Sequence, residues 1–139
     1  MKKTALVVLV LLAAAGTLFA GGAQEQEEAG EKQLQIVYIS PDPIGVNEFL
    51  KMGVTGLEQA GEMYDAETQV MESEDPTTRE QNVRAAVAEG ADIVIVLGFE
   101  FNDIIPEVAK ANPDINFLIV DQCIQDRPDN VSCAVFREY

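Results

Sequence analysis

Ala91-Asp92-Ile93-Val94-Ile95-Val96-Leu97-Gly98 sets an unbroken run of aliphatic, mostly β-branched side chains between an acidic residue and a glycine. A run that is apolar at consecutive positions, rather than at alternate ones, suits a strand covered on both faces, as in the centre of a parallel sheet. On its amino side, Asp75-Pro76 supplies a helix start: Asp accepts from free N–H groups and Pro is tolerated at the first helical position. Val83, Ala86 and Val87 then line one face of that helix, and Gly90 supplies its stop. Further upstream, residues 34–39 read as the first strand and residues 47–64 as a helix with Phe49, Met52, Leu57, Ala60 and Met63 near helical spacing. Residues 66–71 read as a more polar strand nearer an edge. On the carboxyl side, Ile104, Ile105, Val108 and Ala109 form the next helical stripe, ended by Asn112-Pro113-Asp114. Residues 117–120 read as a fourth strand and 131–136 as a fifth. This alternation, without internal repeat, predicts an α/β fold: an open parallel sheet with helices on both faces.

In such sheets ligands sit outside the carboxyl ends of the strands. Those ends fall at residues 40–47, 72–75, 98–103 and 121–123. Gly98-Phe99-Glu100-Phe101-Asn102-Asp103 brings two aromatics beside a glycine, and Asp121 closes an otherwise apolar strand. Each has a plain structural reading, core packing for the aromatics and a turn cap for Asp121.

Composition removes several functions. The 139 residues include no His, which excludes Ser-His-Asp and Cys-His nucleophilic catalysis and histidine metal cages. Nine basic against 24 acidic side chains give a formal charge of -15, the wrong sign for phosphate backbones and anionic headgroups, so nucleic-acid binding is set aside. No Gly-x-Gly-x-x-Gly or Gly-Lys-Ser/Thr loop follows a strand, so no nucleotide cofactor is expected. A small flavodoxin-like enzyme using Asp103 and Asp121 is the weaker alternative. Cys123 and Cys133 flank a turn-rich stretch with Pro128-Asp129-Asn130. In an oxidising compartment they would close a short disulfide loop; free thiols are the alternative, and two soft ligands are too few for a metal site.

The amino terminus describes an address. Met1-Lys2-Lys3 and an apolar run from Ala5 to Ala15, followed by small residues, read as a secretory signal peptide over 1–20, with cleavage after Ala20 or as late as Ala23. The run is shorter than the ~20 residues a membrane span needs, and no Cys stands there to accept a lipid. Residues 21–33 are acidic and polar, a flexible linker by composition. The expectation is export across the inner membrane, to the periplasm or the outer face of the cell membrane, with peripheral attachment.

In order along the chain stand Phe49 with Gly56-Leu57-Glu58-Gln59-Ala60, Asn82-Val83-Arg84-Ala85-Ala86, Gly90-Ala91-Asp92-Ile93-Val94, Val96-Leu97-Gly98-Phe99, Val108-Ala109 with Asn112-Pro113-Asp114, Phe117-Leu118-Ile119-Val120-Asp121 and Phe136-Arg137-Glu138-Tyr139. Together these pieces resemble the amino-terminal lobe of the basic membrane protein family, the purine-nucleoside-receptor type of substrate-binding protein of ABC importers. The resemblance implies a type I periplasmic binding fold, of which residues 34–139 would be a partial first lobe with the second lobe absent. It implies a solute-binding protein with no chemistry of its own, a nucleoside-like ligand and ABC permease subunits as partners. The alternative on the same resemblance is a truncated gene remnant. Phe49 matches the stacking aromatic, Asp121 an acceptor for sugar hydroxyls, and Gly98 with Phe99 a turn where backbone approaches ligand. Where the family commonly has Asp-x-Ser-Phe-Asn, this chain reads Val46-Asn47-Glu48-Phe49-Leu50, so Asp42 and Asn47 are the expected substitutes.

Overall fold

Alternation of side chains across a strand, and the 3.6-residue repeat of a helix, allow each strand to feed two cores and each helix one. The computed structural model describes residues 32–137. The signal peptide and nearly all of the acidic linker lie outside the described residues. Five strands are present: β1 (Gln35–Ser40), β2 (Glu67–Glu72), β3 (Ile93–Leu97), β4 (Asn116–Val120) and β5 (Val131–Ala134). Between them run α1 (Glu48–Tyr64), α2 (Pro76–Ala88), a 3-10 turn (Phe99–Phe101) and α3 (Ile105–Ala111). All pairings are parallel, in the order β2-β1-β3-β4-β5. The aliphatic run 93–97 is therefore the middle strand and the polar β2 an edge, as the sequence predicts.

Val37 pairs in register with Val94, and Ile39 with Val96. These side chains face α2 and α3, forming one core with Val83, Ala86, Ile105, Val108, Phe117 and Ile119. Ile36 and Tyr38 point the other way and meet Leu50 and Leu57 of α1. Ser40 is buried at the end of β1.

Helix α2 begins as its sequence predicts. The Asp75 carboxylate accepts from the Thr78 N–H at 2.8 Å, and the Thr78 hydroxyl accepts from the Asp75 N–H at 3.0 Å. That backbone bond from Thr78 is the first cause holding the Asp75 carboxyl below the usual carboxylate range.

Helix α1 departs from the predicted stripe. Met52 and Met63 are exposed, and the buried positions are Leu50 and Leu57 with Val54 and Ala60 packed beside them. The cause is Gly53, whose missing side chain lets α1 settle onto the Tyr38 ring; a Cβ there would stand 2.6 Å from it. The fifth strand stops at Ala134, two residues short of the predicted end, leaving Val135 and Phe136 exposed past the sheet.

Candidate functional site

A sheet ordered 2-1-3-4-5 reverses direction between β1 and β3, because the chain moves outward from β1 to β2 and then crosses to the other side. Such a switch in strand order is the usual ligand position in open α/β sheets, outside the carboxyl ends of the two strands. Residues 41–47 leave β1 and residues 98–103 leave β3, so two of the four strand ends singled out in the sequence flank this switch point.

From the β1 side, Asn47 caps α1: its side-chain oxygen accepts from the N–H groups of Phe49 at 3.0 Å and Leu50 at 3.4 Å. This places Phe49 in the first turn of α1, 36% exposed and outside both buried cores. The ring meets Phe136 edge-on, with centroids 5.9 Å apart and planes at 63°, a favourable aromatic geometry. Asp42 is engaged by Arg79, whose Nη2 donates to its carboxylate at 3.1 Å.

From the β3 side, Gly98 adopts φ 98°, a conformation that L side chains rarely take, and its N–H donates to the Val120 carbonyl at 3.0 Å. The two aromatics that follow divide: Phe101 is fully buried beneath the turn, whereas Phe99 is 70% exposed. Beyond the adjacent strand, Asp121 sits at φ 64°, a left-handed position that Asp tolerates better than most residues. Its N–H donates to the Ala134 carbonyl at 2.7 Å while the residue itself is exposed. Thus Phe49, Phe99, Gly98 and Asp121 all stand at the carboxyl edge, from neighbouring strands. Cys123 and Cys133 are joined as a disulfide, with Cα atoms 5.2 Å apart, closing the segment between β4 and β5.

Three residues of this edge escape the one-dimensional reading. Phe136 reaches Phe49 across 87 positions of sequence, and Arg79 and Glu72 bind the loop after β1. Their spacing carries no signal: the grips of Arg79 and Glu72 exist only once β1 and β2 are neighbours, and Phe136 meets Phe49 only once β5 has joined the sheet. Among the described residues no group of His, Cys, Asp and Glu is placed to hold a metal ion. No helix among them is long and apolar enough to cross a membrane.

The family model that matches this chain is Bmp, described as ABC transporter substrate-binding protein PnrA-like, and it spans residues 33–139. The chain belongs to the Bmp family. A curated relative, the CD4+ T-cell-stimulating antigen of Listeria innocua, is 27% identical over 150 aligned residues, which cover 99% of this chain and 42% of the relative. The chain therefore spans less than half the length of that Bmp relative. Among solved structures, an ABC transporter solute-binding protein from Aeropyrum pernix superposes with a TM-score of 0.67 at 22% identity, covering 76% of this chain and 29% of that one. A lipoprotein fragment from Peptoclostridium difficile superposes at 0.65 with 20% identity, covering 73% of this chain and 84% of that one. At these identities the likeness establishes the fold alone: the Bmp chain shares the parallel α/β sheet-and-helix fold of these two structures.

Proposed function

We propose that this Bmp chain forms one wall of the ligand cleft of an extracytoplasmic solute receptor for an ABC importer, and that the solute is a purine nucleoside or a similar small polar molecule. The observation that carries the reading is the switch in strand order between β1 and β3, with the exposed residues Phe49 and Phe99 in the segments that follow those two strands. A nucleoside offers one flat apolar face and several hydroxyls. Phe49 supplies area for the base, Asp121 accepts from sugar hydroxyls, and the Gly98–Phe99 turn allows close backbone approach. Asn47 and Asp42 shape the loop from which Phe49 projects. Charge supports a neutral ligand, since a chain of formal charge -15 repels nucleotide phosphates. The second wall comes from the portion of the receptor that the matched region of the relatives leaves out. Binding without chemistry, delivery to permease subunits and a location outside the inner membrane complete the proposal.

The test is calorimetric titration of the reconstructed two-lobed receptor with adenosine, guanosine and inosine, in parallel with thermal denaturation. Saturable heat, with a rise in midpoint as ligand exceeds its dissociation constant, is the expected result. Absence of heat and of any thermal shift with all three would remove the nucleoside and leave another small polar solute. Phe49→Ala should weaken binding at least tenfold with the fold retained. Loss of the fold instead would assign the ring to packing.

A further inference from the structure

The loop after β1 is gripped from two other elements, α2 and the end of β2. Arg79, in the first turns of α2, donates from Nε to the Pro41 carbonyl at 2.8 Å and from Nη2 to the Asp42 carboxylate at 3.1 Å. Its side chain is only 15% exposed. Glu72, the last residue of β2, accepts the Ile44 N–H at 2.7 Å. The buried Ser40 hydroxyl donates to the Asp42 carbonyl at 2.8 Å, and the Asn47 N–H closes a turn onto the Ile44 carbonyl at 2.8 Å. Between these anchors Gly45 takes φ 44° and Val46 stands 91% exposed. Within the loop Ile44 packs against the second core, and on either side of it the backbone is held by these polar grips.

We infer that Arg79 is a positioning residue for the candidate binding edge: it holds the loop 41–47 in the shape that sets Asn47 and, through it, Phe49. The inference builds on the proposed function and adds a determinant that touches no ligand. An ordinary surface ion pair contributes little, and Arg84, half exposed between Glu80 and Glu107, is of that kind. Arg79 differs because one planar guanidinium reaches two acceptors on consecutive loop residues while largely removed from water. A lysine ammonium on a flexible stem cannot reproduce that fork. The remaining charged neighbour of the loop, Glu72, binds a backbone N–H and so acts in the same direction.

The test is hydrogen exchange on this protein, read at the Ile44 and Asn47 amides and at Val94 and Val96 in β3. In Arg79→Met both loop amides should exchange about tenfold faster, with Arg79→Lys intermediate, while β3 is unchanged. Arg84→Lys serves as the control for altering an arginine on the same helix and should leave the loop as it is. Unchanged loop exchange in Arg79→Met, or an equal rise in β3, would overturn the inference. The same substitutions, carried in the reconstructed two-lobed receptor, are titrated with adenosine, guanosine and inosine. If the wild type binds one of them, Arg79→Met should bind it about tenfold more weakly, and unaltered affinity would overturn the inference as well. If the wild type binds none, the nucleoside reading fails and the exchange result still decides whether Arg79 holds the loop.

Discussion

Gly53 and Gly56 lie three residues apart on the same helix and have opposite meanings. A Cβ on Gly53 would meet the Tyr38 ring at 2.6 Å, whereas one on Gly56 meets nothing within 4 Å. Overpacking costs roughly 1–3 kcal/mol and the helix gains about 1 kcal/mol from Gly→Ala, so the two terms oppose at Gly53 and only the gain remains at Gly56. Gly53→Ala should therefore lower unfolding free energy by up to about 2 kcal/mol, and Gly56→Ala should raise it by up to about 1 kcal/mol, in denaturant titrations. Equal effects of one sign would show that α1 does not rest on Tyr38 as described. Neither outcome is legible from the sequence, where both residues are simply glycines inside a helical pattern. Asn130 is a similar case: its amide donates to the carbonyls of Ala109, Asn112 and Ile115 at 3.1, 3.0 and 2.8 Å, tying the end of α3 to the start of β5. In the sequence it reads as a turn residue, because its acceptors are 15 to 21 positions away.

At the scale of elements, the connection between β4 and β5 stands apart. The other parallel connections cross through α-helices, whereas this one runs through residues 121–130 without one. A parallel crossover lacking a helix has little apolar surface with which to hold itself, and the bond between Cys123 and Cys133 takes over that role. Closing a loop of sequence separation 10 removes chain entropy equivalent to about 2–3 kcal/mol. Thiol titration of the unreduced, denatured chain should find no free sulfhydryl, and reduction should lower stability by about that amount. Two titratable thiols, or indifference to reductant, would show that β5 is held by its ladder alone. Helix α2 illustrates the opposite situation, since Asp75, Pro76 and Thr78 are close in sequence and their cap follows from local chemistry.

At the scale of the molecule, the two sheet faces are unequally covered. Helices α2 and α3 lie over one face, and α1 alone lies over the other, leaving an apolar groove lined by Leu34, Ile36, Ala60, Tyr64, Ile93, Ile95 and Leu118. Tyr38 is central to the second face, fully enclosed, with its hydroxyl donating to the Leu50 carbonyl at 3.4 Å. Burial pushes its phenol up to about 12 from an ordinary 10.0. A raised folded-state value favours the neutral ring, so this contribution to stability is complete below pH 10 and is lost as pH rises from there through about 12. Alkaline titration followed by tyrosinate absorbance and far-ultraviolet dichroism should show one tyrosine ionising late, together with loss of helix. Simultaneous ionisation of all tyrosines near their ordinary value, with the fold intact, would contradict an enclosed Tyr38.

The sequence by itself determined the class of fold, the central place of 93–97, the edge place of the second strand, the start of α2 and the family resemblance. All of these rest on local periodicity, capping chemistry or the order of short motifs, which need no knowledge of neighbours in space. The exposed methionines of α1, the early end of β5 and the grip of Arg79 on the loop were decided only by tertiary structure. Each depends on which strands lie side by side and how closely a helix approaches them. Apolar spacing can nominate Met52 for a core, but only the contact between Gly53 and Tyr38 sets the helix rotation that leaves it in water. The candidate site divides in the same way: Phe49, Phe99 and Asp121 are recognisable as residues, and their placement after the adjacent strands β1, β3 and β4 follows only from the strand order of the sheet.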